Sequence, residues 1–145
     1  MSIHSSLVAA WPADIVTVGV ATSSAQVYFG RRPQHVTRQD REVWIERLEV
    51  VEAGAGGQLL RGHTYRAHVR VRSNAGGDKT GKGQQDTAEA LARTLAESYR
   101  GTRRLRSASG MTNLVAWEAS EEQETDPGDE EVIDVPVRLV AWVKE

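Results

Sequence analysis

The sequence predicts an α+β domain: a mainly antiparallel sheet of about five strands, with a short N-terminal helix and one central amphipathic helix packed on it. Three observations carry this. Residues 63–73, "HTYRAHVRVRS", alternate strictly, with Tyr65, Ala67, Val69 and Val71 on one face and Thr64, Arg66, His68, Arg70 and Arg72 on the other, the pattern of a strand with one buried and one wet face. Residues 86–100, "DTAEALARTLAESYR", place Ala88, Leu91, Leu95 and Tyr99 on one helical stripe. Strand-like runs that are neighbours in sequence are joined by short turn-like links, which favours antiparallel pairing.

The elements follow in order. "SIHSSLVAAW" (2–11) reads as a short helix with Ser2 or Ser5 as N-cap, and Pro12 is expected to stop it, because proline disfavours helix at the residue before it. Residues 13–25 read as a loop around a short apolar run, and "QVYF" (26–29) as a strand ended by Gly30 and Pro33. In "REVWIERLEVVEAG" (41–54) Val43 and Ile45 share a face while Leu48 and Val50 take the opposite parity. That slip in a period of two indicates a bulge near Glu46 and Arg47. The glycine run 53–58 is a turn, so 41–52 and 63–72 are expected to form a hairpin. Asp86 is the expected N-cap of the central helix, with Glu89 three residues on and Gly101 at the left-handed cap position. "MTNLVAWEAS" (111–120) and "EVIDVPVRLVAWVKE" (131–145) are the last strands. Pro136 cannot donate to a ladder, which places the final strand at an edge or turns that backbone position outward. The whole chain, 1–145, is expected to be one domain, with mobile loops near 73–84 and 118–131.

Composition narrows the chemistry. The 145 residues contain no cysteine, which removes disulfides, thiolate metal sites and thiol catalysis. No apolar run approaches the roughly 18 residues of a membrane span, and the N-terminus lacks the basic start and apolar stretch of a signal peptide; the chain reads as cytosolic, with no membrane partner. Net charge is −2, but its distribution is uneven. Residues 118–134 hold nine acidic and no basic residues, leaving 18 basic against 11 acidic elsewhere. The acidic members Glu118, Glu121, Glu122, Glu124, Asp126, Asp129, Glu130 and Glu131 read either as a solvated face or as an interface loop for a neighbour.

"NAGGDKTGKGQQDTAEAL" (74–91) nearly spells a phosphate-binding loop, with Gly76, four residues, then Gly81 and Lys82. A P-loop continues with Ser or Thr to hold Mg²⁺, where this chain has Gly83. It also runs directly into a helix, whereas here Gly83, Gln84 and Gln85 are expected to intervene before Asp86. The segment therefore reads as a loop. Other chemistry is equally thin: the histidines His4, His35, His63 and His68 lack zinc-site spacing and read as surface imidazoles, and no serine sits in G-x-S-x-G. No catalytic residue, metal site or cofactor is expected. A basic surface does stand out: Arg66, Arg70 and Arg72 on one strand face, Lys79 and Lys82 beyond it, and Arg103, Arg104 and Arg106 after the helix. It suits a subunit, the chain's own acidic run, or DNA phosphates, although no aromatics are interleaved as on a single-strand platform. Trp44 and Trp142 lie opposite the main apolar stripe of their strands; Leu7 and Val8 of the first helix could cover them, or another subunit could.

Taken together, "SIHSSLVAA", "VYFGRRP", "VWIERLEVVEAG", "HTYRAHVRVR", "DTAEALARTLAESYRGTRRL" and "VIDVPVRLVAWVKE" give an order that resembles the tail terminator and tail-completion proteins of long-tailed bacteriophages, the group that includes the lambda tail terminator. The resemblance implies a non-enzymatic virion protein of the tail and neck, present in the host cytoplasm during assembly. It implies a homo-oligomeric ring, commonly a hexamer, that ends the tail tube and meets both the tube protein and the head-completion or connector protein. DNA would pass through its lumen without sequence-specific binding. A head-closure protein, or a small cytosolic nucleic-acid-binding domain, are the alternatives the sequence leaves open.

Overall fold

Residues 3–55, 58–72, 82–123 and 132–144 are described in a computed structural model of the chain, to backbone level only at 55, 58 and 82–86. The elements are α1 (Ile3–Thr17), a short 3-10 turn (Ser24–Gln26), β1 (Val27–Phe29), β2 (Arg41–Ala55), β3 (Gln58–Arg72), α2 (Lys82–Tyr99), β4 (Leu114–Glu121) and β5 (Val132–Lys144). The five strands form one sheet in the order β1-β2-β3-β5-β4. Only β1 and β2 are parallel; the other pairings are antiparallel. This is the α+β architecture expected, with both helices on one face.

The alternation read in β3 sets that face. Tyr65, Ala67, Val69 and Val71 are buried beside Val135, Val137, Leu139 and Ala141 of β5, and Ala88, Ala92, Leu95, Ala96 and Tyr99 of α2 close over them. Leu7, Trp11 and Ile15 of α1 complete the core. Trp11 is its hub: its ring lies 5.0 Å from Tyr65 and 5.1 Å from Trp117, and Tyr99 meets Trp117 edge-on at 5.2 Å. The hairpin register shifts between Arg47 and Val50, a bulge adjoining the expected position. Gly101 has φ +72°, the left-handed conformation its cap position requires.

Several expectations are corrected. Helix α1 does not stop at Pro12 but runs through it to Thr17. An internal proline removes one hydrogen bond and costs about 3 kcal/mol. Continuing the helix fully buries Ile15, worth about 1.5–3 kcal/mol. It also brings Asp14 to the Tyr99 hydroxyl and to Arg104, charged hydrogen bonds worth about 1.5–3 kcal/mol each. Tertiary contacts outweigh the local penalty. Helix α2 begins at Lys82 rather than at Asp86, so the gap expected between the Gly/Lys segment and the helix is absent. Gly83 still occupies the Mg²⁺-ligand position, and β3 lies between two antiparallel neighbours, unlike the strand of a P-loop.

β5 is not an edge strand. It lies between β3 and β4, with Pro136 opposite His68. The Pro136 carbonyl accepts the Glu122 N–H at 2.9 Å, and a strand residue's N and C=O point the same way. The ring nitrogen therefore faces Glu122, just past the end of β4, and costs the ladder one terminal rung. The strands also reach further into the glycine turn than expected, to Ala55 and from Gln58. Of the segments expected as loops near 73–84 and 118–131, residues 82–84 are helical and 118–121 lie in β4; 73–81 and 124–131 lie outside the described residues.

Candidate functional site

The opposite face of the sheet is covered by neither helix. Leu7, expected to shield Trp44 and Trp142, instead lies in the core beside Trp11, and both tryptophans stay half-buried on the outer face. Cross-strand register arranges that face in rows: Glu42, Arg70 and Asp134; Trp44, His68 and Pro136; Glu46, Arg66, Arg138 and Ser120; Val51, Gly62, Trp142 and Ala116.

The upper rows form a charged lattice. Arg70 Nη1 donates to Asp134 Oδ2 at 3.0 Å, and its guanidinium lies 3.9 Å above the Trp44 ring, a cation–π contact. His68 sits between two carboxylates, Nδ1 at 3.1 Å from Asp134 and Nε2 at 3.1 Å from Glu46. The hydrogen bond to Asp134 raises its pKa above the usual imidazole value; burial opposes this and Glu46 adds to it. Arg66 Nε donates to Glu122 at 3.2 Å. Glu42, only 4% exposed, takes Arg32 Nε at 3.0 Å, the Gln39 N–H at 3.0 Å and Trp44 Nε1 at 3.0 Å.

The lower rows are apolar. Val51, Val140 and Trp142 close over Gly62, and with Glu118, Ser120 and Arg138 they line a shallow groove of about 360 Å³. Trp142 is fixed there by its Nε1 donating to Glu118 Oε2 at 2.6 Å.

The residues singled out in sequence separate by place. Arg66, Arg70 and Arg72 share the outer face of β3. Lys79 is outside the described residues, and Lys82 opens α2 with its side chain undescribed. Arg103 is exposed. Arg104 is half-buried and bound to Asp14 at 2.8 Å, while its carbonyl accepts Trp117 Nε1 at 2.8 Å. Arg106 braces its own turn through the Thr112 carbonyl at 2.9 Å. Of the acidic set, Glu118 and Glu122 lie on the outer face as described, and Glu121 lies 3.9 Å from Arg93. Glu124, Asp126, Asp129, Glu130 and Glu131 lie outside the described residues.

The histidines are not uniformly surface groups. His4 stacks on Tyr65, and His63 has both ring nitrogens buried without a hydrogen-bond partner among the described residues. Burial first, then nearby Arg47, lowers the pKa of each. Sequence reading also passed over Arg32 and Arg38. They stand in the connection between β1 and β2, where no periodicity says which way a side chain points.

No protein-family model and no curated protein matches the chain. Several solved structures share its fold, two of them as follows. A chain from the virion of a native gene transfer agent (GTA) particle matches with a TM-score of 0.54 and 15% identity, over 99% of this chain and 92% of that one. A second solved chain matches with a TM-score of 0.51 and 14% identity, over 100% and 96%.

Proposed function

We propose that this chain is a structural protein of a phage-like virion, a neck subunit that forms a ring, ends the tail tube and joins it to the head connector. The observation that carries the reading is the whole-length match to a chain of a gene transfer agent virion. The match extends over nearly the whole of both chains, so the likeness is not one of a shared fragment. At this identity the likeness is one of fold, and the order of elements agrees with the tail terminator resemblance.

The outer face supports the reading physically. A protein that works by matching surfaces needs preformed, ordered contact groups, and this face holds two half-buried tryptophans and a groove beside a pinned charge lattice. Ring closure joins unlike patches of successive copies, which suits a chain whose acidic and basic residues are segregated. Its partners on this reading are further copies of itself, the tail tube protein and the connector. It performs no chemistry of its own.

The test is the mass of the purified protein by light scattering, with negative-stain imaging of the protein mixed with tails or with filled heads. Rings that bind tail ends are expected. A monomer that binds neither particle overturns the reading, and binding to filled heads alone would make it a head-closure protein.

A further inference from the structure

Where the first turn of α1 meets the sheet, three basic side chains and a phenol gather on the helix-covered face. His4 lies flat on Tyr65, ring centroids 5.8 Å apart and planes 14° from parallel, and its Nδ1 is 3.2 Å from the Tyr65 hydroxyl. Phe29 meets it edge-on at 6.2 Å. His63 precedes Tyr65 by two positions in β3 and so shares its face, and both its ring nitrogens are buried with no hydrogen-bond partner among the described residues. Arg47 stands opposite Tyr65 in the register, exposed, and close enough for its charge to act on both imidazoles. Carboxylates of the neighbouring elements are engaged elsewhere. The next rung on this face sets Glu52 against Arg61, 3.5 Å apart, and Asp14, further along α1, is held by Tyr99 and Arg104. β1 and β5 bring only Phe29, Ala141 and Val143 to this end of the face, and α2 turns Ala92, Leu95, Ala96 and Tyr99 to the sheet. Glu145 lies outside the described residues.

We propose that this cluster is an acid-operated clasp: with His4 and His63 uncharged the first turn of α1, Ile3–Ser6, stays docked on Tyr65, and protonation of the pair releases it. A protonated imidazole carries an N–H on both ring nitrogens. A charged His63 would therefore bury two donors where the described residues offer no acceptor, beside the charges of Arg47 and His4. Lifting the turn gives both rings water and moves His4 away from Arg47. His4 is the part free to move, because it sits in the first turn, whose N–H groups have no acceptor within the helix. Leu7, Trp11 and Ile15 are fully buried, so opening stops at the second turn. Burial, then Arg47, lowers the pKa of both imidazoles while the turn is docked. The docked turn thus binds fewer protons than the released one; it is favoured above the ordinary imidazole value of 6.5 and loses ground as pH falls below it. On the opposite face His68, raised by Asp134, responds in the other sense.

The experiment follows hydrogen exchange by mass spectrometry in the full chain at about pH 7.5 and about pH 5.5, corrected for the pH dependence of the chemical exchange rate. The amides of Leu7 to Ala10 report the first turn, because their N–H groups bond the carbonyls of Ile3 to Ser6. One pH unit below the free imidazole value, each histidine that stays neutral while docked lowers protection by up to about tenfold. The unaltered protein should lose about tenfold or more at Leu7 to Ala10, while amides of β5 keep their protection. H4F/H63L should be equally protected at both pH values. R47Q, an exposed change that leaves the core alone, should keep part of the protection at the lower pH, and it carries the test if the double variant does not fold. Full protection of the unaltered protein in acid, or an undiminished loss in R47Q or in H4F/H63L, would overturn the proposal. So would an equal loss across β5, the mark of general acid unfolding, or a response abolished by E145Q, which would assign it to that carboxylate. Neither ring mass nor particle binding enters these readouts, so failure here leaves the neck reading standing.

Discussion

Replacing Gly62 by alanine tests whether the outer face is as tightly built as its geometry implies. Gly62 stands mid-strand in β3, where alanine would ordinarily help by about 0.4–1 kcal/mol through a less flexible unfolded chain. Here a Cβ would lie 2.9 Å from Val140 Cγ1, 2.9 Å from Val51 Cγ2 and 3.0 Å from Trp142 Cη2. None of the three yields easily. The valines are β-branched and stiff at χ1, and Trp142 is held by Glu118. Overpacking of this kind costs about 1–3 kcal/mol, so the net loss is about 1–2 kcal/mol. At this chain length that lowers Tm by roughly 3–8 °C, measurable by circular dichroism. Combining G62A with V140A removes one obstructing methyl, and the pair should be more stable than the sum of the single losses by about 1 kcal/mol. A Tm for G62A at or above that of the parent protein would refute the close packing of Val51, Val140 and Trp142 over Gly62.

Asp14→Asn removes the acceptor charge shared by Arg104 and Tyr99 and should destabilise by about 1–3 kcal/mol in urea titration, because it leaves Arg104 half-buried without its carboxylate. His68 has a folded-state pKa raised above the unfolded value of 6.5, so its stabilising contribution is complete below about pH 6.5 and is lost as pH rises through the folded pKa. The Tm advantage of the parent over H68Q should therefore be larger near pH 6 than near pH 8, and this difference removes the opposite contributions of His4 and His63. Arg103→Glu should lower the oligomer mass by light scattering without lowering Tm, if this exposed group meets a neighbouring copy; reversing Arg104 as well would confound assembly with folding.

The framework was legible where one strong periodicity ruled. Tyr65 to Val71 and Ala88 to Tyr99 each declare a buried stripe, and those stripes set the sheet, the helix and the face they share. Legibility failed where distant groups decide. Pro12 reads locally as a helix stop, and the burial of Ile15 together with Asp14 meeting Tyr99 and Arg104 shows why the helix goes on. Pro136 reads as an edge signal, yet a missing N–H at the terminal rung of one ladder is tolerated in a central strand. Arg104 looked like any surface cation until its carboxylate partner, 90 positions away, was in view.

The candidate surfaces divide the same way. Arg66, Arg70 and Arg72 could be put on one strand face from alternation alone, since side chains in an extended chain point in turn to opposite sides. That Arg70 lies on Trp44, that His68 sits between Asp134 and Glu46, and that Arg32 reaches Glu42 required the register of three strands and the path of one loop. Local pattern was enough for the main elements and their inward faces, because burial of apolar side chains repeats with the period of the backbone. The tertiary structure alone decided which charges meet, because an ion pair depends on a few ångströms between residues that share no local pattern.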